Sequence, residues 1–182
     1  WETHVDLAAG HGLRGTLLAR EQHKAEAERE YRAAISEREL GGDGSALDIE
    51  SDLWDLAVLY LNERRVADAL PLLTRGLEIS KASPLSTELR VRILLGLGIA
   101  YSAIADRESA ERSFQRAVQL VDSVPPAFRS TLGQVLYQAY SAFLKNTGKN
   151  QEAKQLRNRG EVLYGRDTSG MTVSFDSLLR RH

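Results

Sequence analysis

The sequence contains no cysteine. That absence removes disulfides, thiolate metal ligation and thiol nucleophiles together, and it assigns no compartment, since proteins on either side of a membrane can lack cysteine. Charge of one sign is missing as well. Twenty-four Lys and Arg stand against 25 Asp and Glu, so no large field exists to draw in nucleic acid or an anionic membrane. No stretch reaches the roughly 20 apolar residues that a membrane span needs. Trp1 is not followed by a basic segment leading into an apolar one, as a secretory signal would require. The expectation is a soluble chain, cytoplasmic if a compartment is to be named, with no nucleic-acid partner and no membrane insertion. Starting at Trp1 rather than Met suggests a processed chain or a fragment of a longer one.

Constellations that carry chemistry are also scarce. His4, His11 and His23 are spaced by seven and twelve residues, a pattern that gives no reason for three imidazoles to meet at a metal. The GGDGS stretch at 41–45 has neither the ligand spacing of a calcium loop nor the lysine of a phosphate loop, and reads as a linker. The sequence therefore predicts no catalytic residues, no cofactor and no metal.

What the sequence does contain is a repeated phrase. AEAEREYRAAISE (25–37) and ESAERSFQRAVQL (108–120) share one grammar, and aligning on the alanine four residues before the aromatic yields Ala27, Ala69, Ala110 and Ala153. By subtraction these lie 42, 41 and 43 residues apart. Tyr31, Leu73, Phe114 and Arg157 follow four residues on, and Ala34, Gly76, Ala117 and Gly160 three beyond those, the i, i+4, i+7 stripe of one helix face. Only Arg157 breaks the apolar column. Twelve residues before the alanines stand Gly15, Ala57, Gly98 and Ser141, and then Leu18, Tyr60, Tyr101 and Leu144, on a preceding helix. Gly148 with Asn150, and the Ala105-Asp106 step, separate paired helices. GGDGS, SPLS (83–86) and SVPP (123–126) separate the pairs, with proline suited to a first helical turn. This spacing predicts eight helices over 4–20, 23–39, 47–62, 65–81, 85–105, 107–122, 126–146 and 149–165. They form four units, about 4–39, 47–81, 85–122 and 126–165, within one repeat region 1–165.

These columns resemble the tetratricopeptide repeat family over roughly 11–163. The match is fullest in the third unit (Leu94, Leu97, Gly98, Tyr101, Ala110, Phe114, Ala117) and the second (Leu53, Leu56, Ala57, Tyr60, Ala69, Leu73, Gly76). The period near 42 is similar to the long-helix variety found in kinesin light chains and many bacterial proteins. The first unit, with Gly10, Gly12 and Gly15, departs most, and the last departs at Arg157 and Ser141. The resemblance implies an all-α, right-handed solenoid of four helix-turn-helix repeats with a C-terminal cap, in which hairpins that cannot cover their own apolar faces stack on one another. It also implies that the first helix of each unit lines a concave wall. On that wall Trp54, Val58 and Leu61, Leu95, Ile99 and Ser102, and Gln138, Ala142 and Lys145 would be exposed.

The function this implies is that of a noncatalytic scaffold binding a protein or peptide segment on the concave face. The site residues are Trp54, Asp55, Val58, Leu61, Asn62, Arg92, Leu95, Ile99, Gln138, Lys145 and Asn146. Trp54 has two readings: an interface anchor with a large surface and one N–H donor, or a core residue between repeats. Some family members clamp a terminal carboxylate with Lys and Asn. The corresponding places here hold Gly12, Thr16, Asp55, Arg92 and Gly96, with one cation among them, so apolar extended or helical segments fit better. Arg29, Arg32, Arg112, Arg116 and Arg159 on the second helices read as a solvated face. Two alternatives stay beside the scaffold reading: a self-association module, and a regulatory or sensor segment of a larger protein.

After Tyr164 the grammar changes. In the tail 166–182, Val173 and Phe175 alternate like a strand, and Asp176 or Ser177 can start a short helix through Leu178 and Leu179. The segment is expected either to cap the last repeat or to enter the groove of its own or a neighbouring molecule, the second giving a homo-oligomer.

Overall fold

The computed structural model describes residues 2–41, 46–82 and 87–165, and every regular element among them is α-helical. The expected C-terminal cap (166–182), most of the GGDGS linker and the SPLS stretch lie outside the described residues. The helices are α1 Glu2–Arg20, α2 Lys24–Gly41, α3 Ala46–Asn62, α4 Val66–Ala82, α5 Thr87–Ala103, α6 Arg107–Val121, α7 Pro126–Asn146 and α8 Asn150–Tyr164. All eight expected helices are present, with Pro126 opening α7 as the first helical residue. Among the described residues no helix is long and apolar enough to cross a membrane.

The chain divides into two compact units, Trp1–Ser86 and Thr87–His182. In the first, α1 packs on α2, α3 on α4, and α2 on α3; in the second, α5 packs on α6, α7 on α8, and α7 on both α5 and α6. Each unit is thus two consecutive helical hairpins laid side by side.

The four hairpin turns are built alike. Gln22, Arg64, Ala105 and Gly148 take positive φ of 66°, 60°, 61° and 85°, again 42, 41 and 43 residues apart by subtraction. Each is followed by a backbone N–H donating to the carbonyl five residues back: His23 to Leu18 at 2.8 Å, Arg65 to Tyr60 at 2.8 Å, Asp106 to Tyr101 at 3.0 Å and Lys149 to Leu144 at 2.9 Å. This is the Schellman closure of a helix C-terminus, in which a left-handed residue turns the chain so that the last carbonyls regain donors. The residues Leu18, Tyr60, Tyr101 and Leu144, picked out by period alone, are the acceptors.

The small-residue columns have a steric purpose. All twelve positions of the three columns are buried. A Cβ built on Gly15 would stand 2.8 Å from the Tyr31 ring, and one on Gly98 would stand 2.7 Å from the Phe114 ring, so in both hairpins the aromatic of the second helix lies in a notch of the first. Phe114 then stacks on Tyr140 at 5.2 Å and meets Phe143 at 5.5 Å, which carries the contact from one hairpin to the next. Arg157, in the same column, is exposed, and no helix follows α8 among the described residues. In α8 the closing aromatic is Tyr164, whose ring covers Gly133 and whose hydroxyl donates to Asp122 at 2.8 Å.

Polar contacts between hairpins repeat too. Arg65 donates to Glu28 at 2.7 Å in the first unit, and Lys149 donates to Glu111 at 2.7 and 2.9 Å in the second. The acid follows the aligned alanine and the base follows the left-handed turn residue, so both units use the same two repeat positions. The Arg65 hydrogen bond is the chief cause holding the Glu28 carboxyl below its ordinary range. Arg65 also lies over the Tyr60 ring, 4.1 Å from its centroid.

Candidate functional site

The first helices of the second unit, α5 and α7, pack against one another. Between them opens a cleft of about 310 Å³ lined by Ile99, Ser102, Ala103, Ala139, Ala142 and Asn146, with the rings of Phe114 and Phe143 as its floor. The geometry follows from the sequence locally. Phe114 is drawn toward α5 by the Gly98 notch, and Ala103, Ala139 and Ala142 are too short to close the space above it. Ser102 and Asn146 supply hydrogen-bonding groups at the edge of an otherwise apolar surface. Such a surface accepts apolar side chains while its rim pairs with a peptide backbone.

Of the site residues expected from sequence, this cleft gathers Ile99 and Asn146. Lys145 is exposed beside them on α7. Gln138 lies elsewhere, in a smaller cleft of about 180 Å³ between α7 and α8 with Gln134, Tyr137, Arg157 and Glu161. Arg92 is half-buried on α5 and pairs with Glu88 one turn earlier, at 2.6 Å. Leu95, expected at the surface, is fully buried at 0% exposure.

The residues on α3 call for the same correction. Trp54 is 2% exposed, Val58 0% and Leu61 9%, and Asp55 is buried at 9%; only Asn62, at the end of the helix, is exposed. The expectation treated α3 as a helix with one packing stripe. Its sequence LWDLAVLYL is apolar nearly all round, and a helix of that kind is enclosed on every side; each residue from Asp52 to Leu61 is buried. The aspartate that opens this run shows what this enclosure demands. Asp52 accepts from the buried Arg38 of α2 at 2.5 Å, as a charge removed from water must. The Trp54 indole Nε1 has no hydrogen-bond partner among the described residues.

Ala103, Ala139 and Phe143 were missed as site residues. The signal was present in the i, i+4 pairs Ile99–Ala103, Ala139–Phe143 and Ala142–Asn146, but nothing in one helix reveals that two small-residue faces oppose each other. Of the places corresponding to the carboxylate clamp, Thr16 donates to the Gly12 carbonyl of its own helix at 3.0 Å. The histidines face single carboxylates: His4 meets Glu37 and His11 meets Glu30, each at 2.6 Å, and His23 meets Glu26 at 3.3 Å. Arg29, Arg32, Arg112, Arg116 and Arg159 are exposed, as a solvated face would be. A further cleft, about 430 Å³, lies over α2, α3 and α4, and its rim is crossed by the Arg75–Glu39 ion pair and by the hydrogen bond that Arg32 donates to the Tyr60 hydroxyl.

No protein-family model matches the chain, and no curated protein matches it.

Proposed function

We propose that this chain is a tetratricopeptide-like, right-handed solenoid acting as a noncatalytic scaffold, and that it holds an apolar peptide or protein segment in the cleft between α5 and α7. The observation that carries the reading is the cleft itself: a mostly apolar concavity lined by Ile99 and three alanines over the buried rings of Phe114 and Phe143, with Ser102 and Asn146 also in its lining. Support for the repeat assignment comes from the left-handed turn residues, which recur five residues before each aligned alanine, and from the Glu28–Arg65 and Glu111–Lys149 pairs, which use the same two repeat positions in both units. Ile99, Lys145 and Asn146 remain binding residues in this reading. Trp54, Val58, Leu61 and Leu95 act beneath the surface, by fixing the helices.

The test is selection of peptides from a displayed library on the immobilised chain, followed by calorimetry on wild type and Ala142→Arg. Ala142 is exposed, so the arginine fills the cleft without disturbing the core. Affinity is expected to fall at least about tenfold, as for a blocked hot spot, with the thermal midpoint unchanged. Selected peptides that bind both proteins equally well would place the binding surface elsewhere.

A further inference from the structure

The face of α1 turned away from α2 and α3 is apolar in the middle and charged at its ends. Leu13 is 70% exposed, Leu17 57% and Val5 46%, and Asp6, Ala9 and Arg20 are exposed along the same stripe. At 100° per residue Asp6, Ala9, Leu17 and Arg20 fall within about 40° of Leu13 on either side, and Val5 flanks this stripe at about 80°. Asp6 and Arg20 each lie seven residues from Leu13, about 10 Å along the axis in opposite directions.

That arrangement is self-complementary. If two such helices cross antiparallel with a two-fold axis at Leu13, every residue meets the one equally far on the other side of position 13. Leu13 then faces its own copy, Leu17 comes level with the small Ala9, and Asp6 comes level with Arg20, twice over. A two-fold interface requires one patch to fit itself, and opposite charges at mirrored distances from an apolar centre meet that requirement. Parallel pairing would set Asp6 against Asp6 and Arg20 against Arg20.

We infer that α1 is a homodimer interface whose occupant is α1 of a second copy, in antiparallel register about Leu13. One helix per side is at the small end for specific association, so the dimer forms and dissociates with concentration. This surface is separate from the α5–α7 cleft and does not depend on it.

Sedimentation measures the first consequence: the mass of the wild-type chain rises from 20.2 kDa toward twice that value with concentration. Asp6→Arg, which sets like charges level, weakens association at least about tenfold, and adding Arg20→Asp restores it. All these side chains are exposed, and unchanged circular dichroism verifies that each variant folds. The absence of cysteine supplies a second readout. Leu13→Cys on the two-fold axis oxidises to a covalent dimer faster than Val162→Cys, a control at a site 84% exposed. A wild-type chain that stays monomeric, a double charge swap that fails to recover association, or equal oxidation of the two cysteine variants would each overturn the inference. The first would leave the face to another segment or protein.

Discussion

A methyl group added at Gly98 would lie 2.7 Å from the Phe114 ring, whereas one added at Gly10 would meet nothing within 4 Å. The two glycines look alike in a sequence and do opposite things. Gly98→Ala must push back a ring already stacked on Tyr140, and an overpacking cost of about 1–3 kcal/mol is expected in urea unfolding. Gly10→Ala, on the exposed side of α1, removes only the backbone freedom of glycine and is expected to add about 0.5–1 kcal/mol. Trp54 extends the same reasoning to a side chain. Buried at 2% exposure, it is expected to cost about 3–5 kcal/mol on truncation to alanine. Because its N–H has no partner among the described residues, Trp54→Phe forfeits packing alone and gives a visibly smaller loss in the same measurement. Equal losses would show that the indole nitrogen matters.

At the scale of elements, the hairpin turn is the repeated object. A left-handed residue is required at 22, 64, 105 and 148, yet only the last is glycine. For a residue with a Cβ that conformation costs on the order of 1 kcal/mol or more. Ala105→Gly relieves it and surrenders part of the gain to the greater freedom of glycine in the unfolded chain. A net stabilisation of up to about 1 kcal/mol is expected, read as a higher denaturant midpoint at unchanged slope. A loss would mean that the strain is absent. The turn also explains why Asp106 stands where it does. Its carboxylate accepts from the Ser109 N–H at 3.1 Å and caps α6, and that backbone hydrogen bond is the chief cause lowering its pKa.

At the scale of the whole molecule, carboxylates that join separate elements link stability to pH. Glu28 is held below its ordinary pKa chiefly by the Arg65 hydrogen bond, and Glu30 chiefly by that of His11. Each is depressed in the folded state. The stability each contributes is therefore fully present above the unfolded carboxylate value, about 4.3 for Glu, and is lost as pH falls through the lower folded value. The thermal midpoint is expected to drop on acidification through that window. Glu28→Gln should lie below wild type at pH 7 and converge on it below about pH 4. A constant offset between the two proteins at every pH would exclude charge as the cause.

Much of this protein was legible in the sequence because a helical hairpin is a local object. Helix periodicity, the small residue opposite an aromatic and the turn that closes the pair all fall within about 40 residues, so Ala27, Ala69, Ala110 and Ala153 could be aligned with no knowledge of what they touch. The twelve notch positions are buried as the pattern required, and eight helices lie where it set them. The site was less legible. Apolar residues on α3 and α5 look the same in a sequence whether they face a ligand or one another, and Trp54 and Leu95 went inside because their helices are apolar on nearly every side. The α5–α7 cleft is lined by Ala103 from one helix, Ala139 and Ala142 from another and Phe114 from a third, a grouping that no single helix's pattern reveals. Sequence determined which residues can form a hairpin, since that depends on near neighbours; tertiary structure alone decided which faces meet, since that depends on volumes brought together from distant parts of the chain.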